Sequence, residues 1–149
     1  MAQTYSTFEV YKAAGINRNT LQSAMAASFV VPDIHRADGP SERSAFSRDG
    51  VYDAALFFRL VTIGIPRKKA ASVIMADGFT WENVGEGQGQ FRFFEIIVTE
   101  SKQKNLSNVT SSRPVEGPTP PKKDEWFRWT VSLLPIKKQV DAKLSEADR

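Results

Sequence analysis

The chain has 149 residues, 41% hydrophobic and 25% charged, which suits one globular domain or a domain with an appendage. It contains no cysteine, which excludes disulfides, thiolate-bound zinc and thiol redox sensing, and its single histidine, His35, makes no imidazole cluster. The net charge of +3 is uneven: residues 1–75 carry nine Lys/Arg against six Asp/Glu, residues 76–100 one against five, and residues 101–149 ten against six. A polyanion partner is therefore expected at the N-terminal half. No run of about eighteen apolar residues occurs, so no membrane span is expected. Met1-Ala2-Gln3-Thr4 has no basic and apolar targeting character, and a cytoplasmic, nucleoid-associated location is expected.

Ser6 and Glu9 have capping-box spacing, with Tyr5 and Val10 in staple positions, so a first helix is predicted to about Ala14. Gly15 suits a left-handed C-terminal cap. Asn17 suits the N-cap of a second helix, Arg18 to about Ala27. The three-residue connection is that of a helix-turn-helix. Val10, Ala14, Ile16, Leu21 and Met25 are expected to face a shared core, and Arg18, Asn19, Gln22 and Ser23 to point outward. Arginine suits guanine, and asparagine and glutamine suit adenine. Solvated polar residues on an exposed helix face are the plainer alternative.

Phe29-Val30-Val31 reads as a short strand, Asp38-Gly39-Pro40 as a turn and Ser44-Ala45-Phe46 as a returning strand, together a hairpin wing. Arg36, Arg43 and Arg48 along it are candidates for phosphate contact, which positions a protein without reading sequence. The alternative pairs them with Asp33, Asp38 and Glu42. Ser47 is a candidate N-cap for a mostly buried third helix from Arg48 to Ile63, ended by Gly64. Pro66 opens a fourth helix to about Met75. Its Arg67-Lys68-Lys69 cluster lies at the end where the helix dipole favours anions, so either a phosphate contact or a solvated turn accounts for it.

Over this half the chain resembles the winged-helix DNA-binding domain of the MerR family of bacterial regulators. The resemblance is carried by Tyr5-Ser6-Thr7-Phe8-Glu9-Val10, Ala14-Gly15-Ile16-Asn17-Arg18-Asn19-Thr20-Leu21, Phe29-Val30-Val31-Pro32, Ala45-Phe46-Ser47-Arg48-Asp49 and Leu60-Val61-Thr62-Ile63-Gly64-Ile65. Ala24 and Met25 stand where the family commonly has bulkier aromatic residues. The resemblance implies double-stranded DNA as partner, with Asn17, Arg18, Asn19, Thr20, Gln22, Ser23, Arg36, Arg43, Arg48, Arg67 and Lys68 as candidate DNA-binding residues.

Beyond residue 76 the family's long helix is not expected. Phe79–Val84 reads as a strand, Gly85-Glu86-Gly87-Gln88-Gly89 as a hairpin turn and Gln90–Thr99 as a second strand. No Lys-Ser/Thr pair follows the glycines, so a phosphate loop is not favoured. Residues 100–124, rich in Ser, Thr, Pro and Lys, read as a flexible loop or an extension gripping a partner. Lys102, Lys104, Arg113, Lys122 and Lys123 could reach a phosphate backbone, with exposed linker lysines as the default. Trp126–Leu133 alternates as a half-buried strand, with Trp126 and Trp129 expected in the sheet's own core rather than as stacking platforms. Pro135 opens a last helix with Ile136, Val140 and Leu144 on one stripe, which covers the sheet or meets a second subunit.

The expected fold is thus α+β. A winged helix-turn-helix domain, residues 4–76, precedes a module at 77–149 of antiparallel sheet and C-terminal helix that is expected to mediate homodimerisation. The expected function is sequence-specific transcriptional regulation in a bacterium or phage, without a cysteine-based sensor. The alternatives are an excisionase-like or architectural DNA-binding factor, and a protein-interaction adaptor using the C-terminal module. No nucleophile–base pair, metal cluster or cofactor motif points to an enzyme, a cofactor or a metal.

Overall fold

The computed structural model describes residues 3–39, 42–75, 80–100 and 108–147. The protein is mixed α and β, and it divides into two compact units, Met1–Met75 with Ile136–Arg149, and Ala76–Pro135.

In the first unit, α1 (Thr7–Ala14) begins at the expected capping box. The Ser6 hydroxyl accepts the Glu9 N–H at 3.3 Å, and Glu9 Oε2 accepts the Ser6 N–H at 2.7 Å. Gly15 ends α1 at φ 71°, a left-handed conformation that glycine adopts without steric cost. Helix α2 (Arg18–Ala26) starts after Asn17, whose Oδ1 accepts the Thr20 N–H at 2.8 Å. Val10, Ala13, Leu21 and Ala24 are buried between these helices and their neighbours, whereas Ala14, Ile16 and Met25 are only half-buried.

Ser47 caps α3 (Arg48–Thr62), accepting the Gly50 N–H at 3.1 Å. The helix is apolar on more than one side, and Val51, Leu56, Phe57 and Leu60 are almost wholly enclosed. Gly64, at φ 105°, turns the chain into α4 (Arg67–Met75). The wing is smaller than expected. Phe29–Val31 forms no strand, because the chain leaves α2 through Ser28 in the left-handed region (φ 60°) and then bends. The hairpin closes further on, where His35 and Ala45 exchange backbone bonds of 2.8 and 3.1 Å. Phe46 also pairs with Tyr5, tying this arm to the residue before the α1 cap. Of the expected turn Asp38-Gly39-Pro40, Pro40 lies outside the described residues.

The last helix, α5 (Leu133–Ala147), belongs mostly to this first unit, not to the sheet module expected from the sequence. Ile136, Val140 and Leu144 are all buried, as their spacing implies. Within the unit, Arg59 Nη2 donates to Gln139 Oε1 at 3.2 Å, and the Tyr52 hydroxyl donates to Asp141. Burial, and next the bond to Asp141, push the Tyr52 hydroxyl far above its ordinary pKa, so it stays a neutral donor.

The second unit is an antiparallel sheet in the order β2-β1-β3, built from β1 (Phe93–Glu100), β2 (Asn108–Val115) and β3 (Glu125–Ser132). Strand β2 lies inside the stretch expected to be a loop. Its sequence shows no apolar alternation because it is an edge strand, where polar residues and Pro114 are tolerated. Conversely, the strand expected at Phe79–Val84 does not form over its described residues, 80–84. Phe79 lies outside the described residues, and Trp81–Asn83 is a 3-10 turn. Val84 then bridges Phe91 in parallel, so the glycines make a compact loop rather than a hairpin turn. That loop is wrapped on Gln90, whose Oε1 accepts the Gly87 N–H at 2.9 Å.

Candidate nucleic-acid interface

Helix α2 sits on the core through Leu21 and Ala24, which fixes the opposite face outward. Asn17, Arg18, Asn19, Gln22 and Ser23 are exposed and Thr20 is half-buried. Asn17 and Thr20 are bonded to each other as the helix cap, so their first role is local. Among the described residues, Arg18, Asn19, Gln22 and Ser23 make no side-chain hydrogen bond or ion pair. The face offers donors and acceptors that the protein itself does not consume.

Arg18 and Gln22 also line an open cleft of about 570 Å³ between α2, the start of α1 and the hairpin. Arg43 and Ser44 line its far side, and Phe8 and Met25 supply apolar surface. The fold therefore brings Arg18, Gln22 and Arg43 onto one concavity, although 25 residues of sequence separate Arg18 from Arg43.

The hairpin is braced by its acids. Asp33 Oδ1 accepts the Ser47 N–H at 2.8 Å, and its Oδ2 accepts the Ser47 hydroxyl. Glu42 Oε2 accepts the Asp38 N–H at 3.0 Å and lies 3.2 Å from His35 Nε2. The Asp38 N–H, and next the His35 ring, lower the Glu42 pKa. With Asp33 and Glu42 so engaged, Arg36 and Arg43 are exposed and have no acid partner among the described residues.

Arg48 is placed differently. It lies 3.6 Å from Asp141 Oδ1, and its guanidinium stands 5.9 Å from the Tyr5 ring centroid. Arg67 and Lys68, with Lys69, are exposed at the start of α4. They do not line the α2 cleft. His35 is exposed and engaged with Glu42.

In the sheet unit the structure reveals a polar cluster that the sequence concealed. Glu95 in the central strand is 1% exposed. Its carboxylate accepts from Arg128 at 3.0 Å, Arg113 at 3.4 Å and the Thr119 hydroxyl at 2.8 Å. Burial would raise its pKa, but the Thr119 bonds and the two arginines outweigh burial and hold it low. Arg128 also donates to the Thr119 and Pro120 carbonyls, so residues 116–124 are strapped across the sheet. The expectation of a flexible excursion at 100–124 is thus replaced, over 108–124, by a strand and this strap, while residues 101–107, with Lys102 and Lys104, lie outside the described residues. The one legible signal was a lone Glu within an apolar run, which demands partners when buried. Trp126 is 57% exposed and does not belong to the sheet's core, while Trp129 is half-buried against Phe127.

No family model matches the chain, and no curated protein matches it either. Among the described residues, no helix is long and apolar enough to cross a membrane.

Proposed function

We propose that this protein binds double-stranded DNA through α2 and the hairpin beside it, and acts as a sequence-specific transcriptional regulator of the MerR-like type. The observation that carries the reading is the cleft lined by Arg18 and Gln22 of α2 and Arg43 of the hairpin, none of which has a side-chain partner among the described residues. A recognition helix presents its N-terminal residues to the major groove, and Arg18, Asn19 and Gln22 occupy that part of α2. Their chemistry suits purine edges. Arg36 and Arg43 suit the flanking phosphates, which supply affinity and register. Arg48, held near Asp141, is a weaker candidate for the same role than those two. Arg67 and Lys68 are exposed outside the cleft and are a weaker candidate phosphate contact in this reading.

Selection of bound sequences from random duplex DNA tests the proposal. Enrichment of a defined motif by the full chain, lost in Arg18→Ala with Gln22→Ala, is the expected result. Retention of all duplexes alike, or of none at low salt, contradicts it.

A further inference from the structure

The sheet has two edges, and they are not alike. Strand β2 carries Pro114, which has no N–H to offer another strand. Strand β3 has no proline, and its one irregularity, a bulge at Trp126 where the register to β1 shifts, leaves Phe127–Ser132 regular. Its sequence is Glu125-Trp-Phe-Arg-Trp-Thr-Val-Ser132, with no proline or lysine. Its one internal charge, Arg128, is turned onto Glu95, Glu125 and the Thr119 and Pro120 carbonyls, and the Arg128 side chain is only 16% exposed. Glu125 is consumed in the same network. The edge therefore carries high β-propensity and no free charge. Apart from its ladder with β1 and the Glu125 N–H, which donates to the Lys122 carbonyl at 3.1 Å, the backbone of β3 has no hydrogen-bond partner among the described residues. Such a strand is a template for pairing.

We propose that β3 pairs with β3 of a second copy of this chain, antiparallel about a two-fold axis, to give one continuous six-stranded sheet. The strand is self-complementary in bulk. Its first half carries the exposed Trp126 and Phe127, and its last residues are Thr130, Val131 and Ser132. Antiparallel pairing centred on Trp129 sets the large end of each strand against the small end of the other. Phe127 then meets the copy's Val131, and the apolar face of exposed Phe127 and half-buried Trp129 continues across the axis. Because the arginine is neutralised within each chain, the copies bring no like charges together at the edge. This arrangement is independent of the DNA-binding reading.

Sedimentation equilibrium of the full chain without DNA is the test. The expected result is a reversible dimer. Phe127→Lys and Thr130→Lys, both at exposed positions, raise its dissociation constant by roughly tenfold or more, with unchanged circular dichroism. Ser111→Lys on the opposite edge leaves it as it was. A monomer at all concentrations overturns the proposal, and so does a dimer indifferent to both β3 variants. Should those variants unfold, amide exchange of the unsubstituted chain decides. Protection at Trp126–Ser132 that rises with protein concentration supports pairing, and concentration-independent exchange there overturns it. Because no DNA is present, either failure leaves the motif-selection result to stand or fall separately.

Discussion

Asn17 and Arg18 are neighbours with separable roles. Asn17 accepts the Thr20 N–H and fixes the start of α2, while Arg18 is exposed and unpaired among the described residues. Asn17→Ala is expected to cost about 1 kcal/mol of stability, read as a lower thermal midpoint. Arg18→Ala is expected to leave that midpoint in place and to weaken binding to a selected site by about 1–3 kcal/mol, with less change on random DNA. Equal losses on both DNAs would remove Arg18 from base reading. Glu95 is the opposite sort of residue, a charge inside the fold. Glu95→Ala strands the arginines that converge on it and is expected to destabilise the sheet unit by about 3 kcal/mol, measured by urea unfolding. Its pKa is depressed in the folded state, so its contribution is complete above the unfolded value of about 4.3. It is lost as pH falls through the lower, folded value. The sheet unit should accordingly lose stability only in that acidic window, and Glu95→Gln should flatten the loss.

At the scale of elements, what was legible is what local chemistry dictates. The capping box at Ser6, the left-handed Gly15 and the Asn17 and Ser47 caps all read directly from residue type and spacing, and each forms its expected bond or backbone conformation. Strand β2 was illegible because an edge strand needs no apolar face, so Asn-Val-Thr-Ser-Ser-Arg-Pro-Val reads as loop. The strap was hidden for a related reason: it is held by Glu95 and Arg128, which are 33 residues apart and show no local signal. The hairpin was legible in kind but not in register, since Val30 is buried without pairing and the bridge falls at His35. Its arginines are therefore the residues whose role is best tested as a pair. Arg36→Ala and Arg43→Ala are each expected to weaken binding about equally on all sequences. Each should also reduce the steepness of log affinity against log salt by about one. A sequence-dependent loss would move them from phosphate to base contact.

For the whole molecule, the chain returns at its end to the unit in which it began. The stripe Ile136, Val140 and Leu144 announced a buried helix face but not what would cover it, because periodicity specifies a face and never a partner. The structure assigns residues 136–149 to the same compact unit as 1–75, with Asp141 accepting from Tyr52 and standing beside Arg48 at the start of α3. The unit that presents α2 is thereby completed by residues that follow the sheet in sequence. Each of the three stripe residues is almost fully enclosed, and burying such a side chain stabilises by about 1.5–3 kcal/mol. Their sum is comparable to the whole stability of a small domain, about 5–15 kcal/mol. A chain ending at Pro135 is therefore expected to lose most of its helical circular dichroism on mild heating and to lose DNA retention with it, although every proposed DNA contact is still present. Leu144→Ala, which leaves a cavity, is expected to reproduce part of this at a cost of about 2–5 kcal/mol. A shortened chain that melts at the same temperature as the full one would show that the helical unit stands without α5.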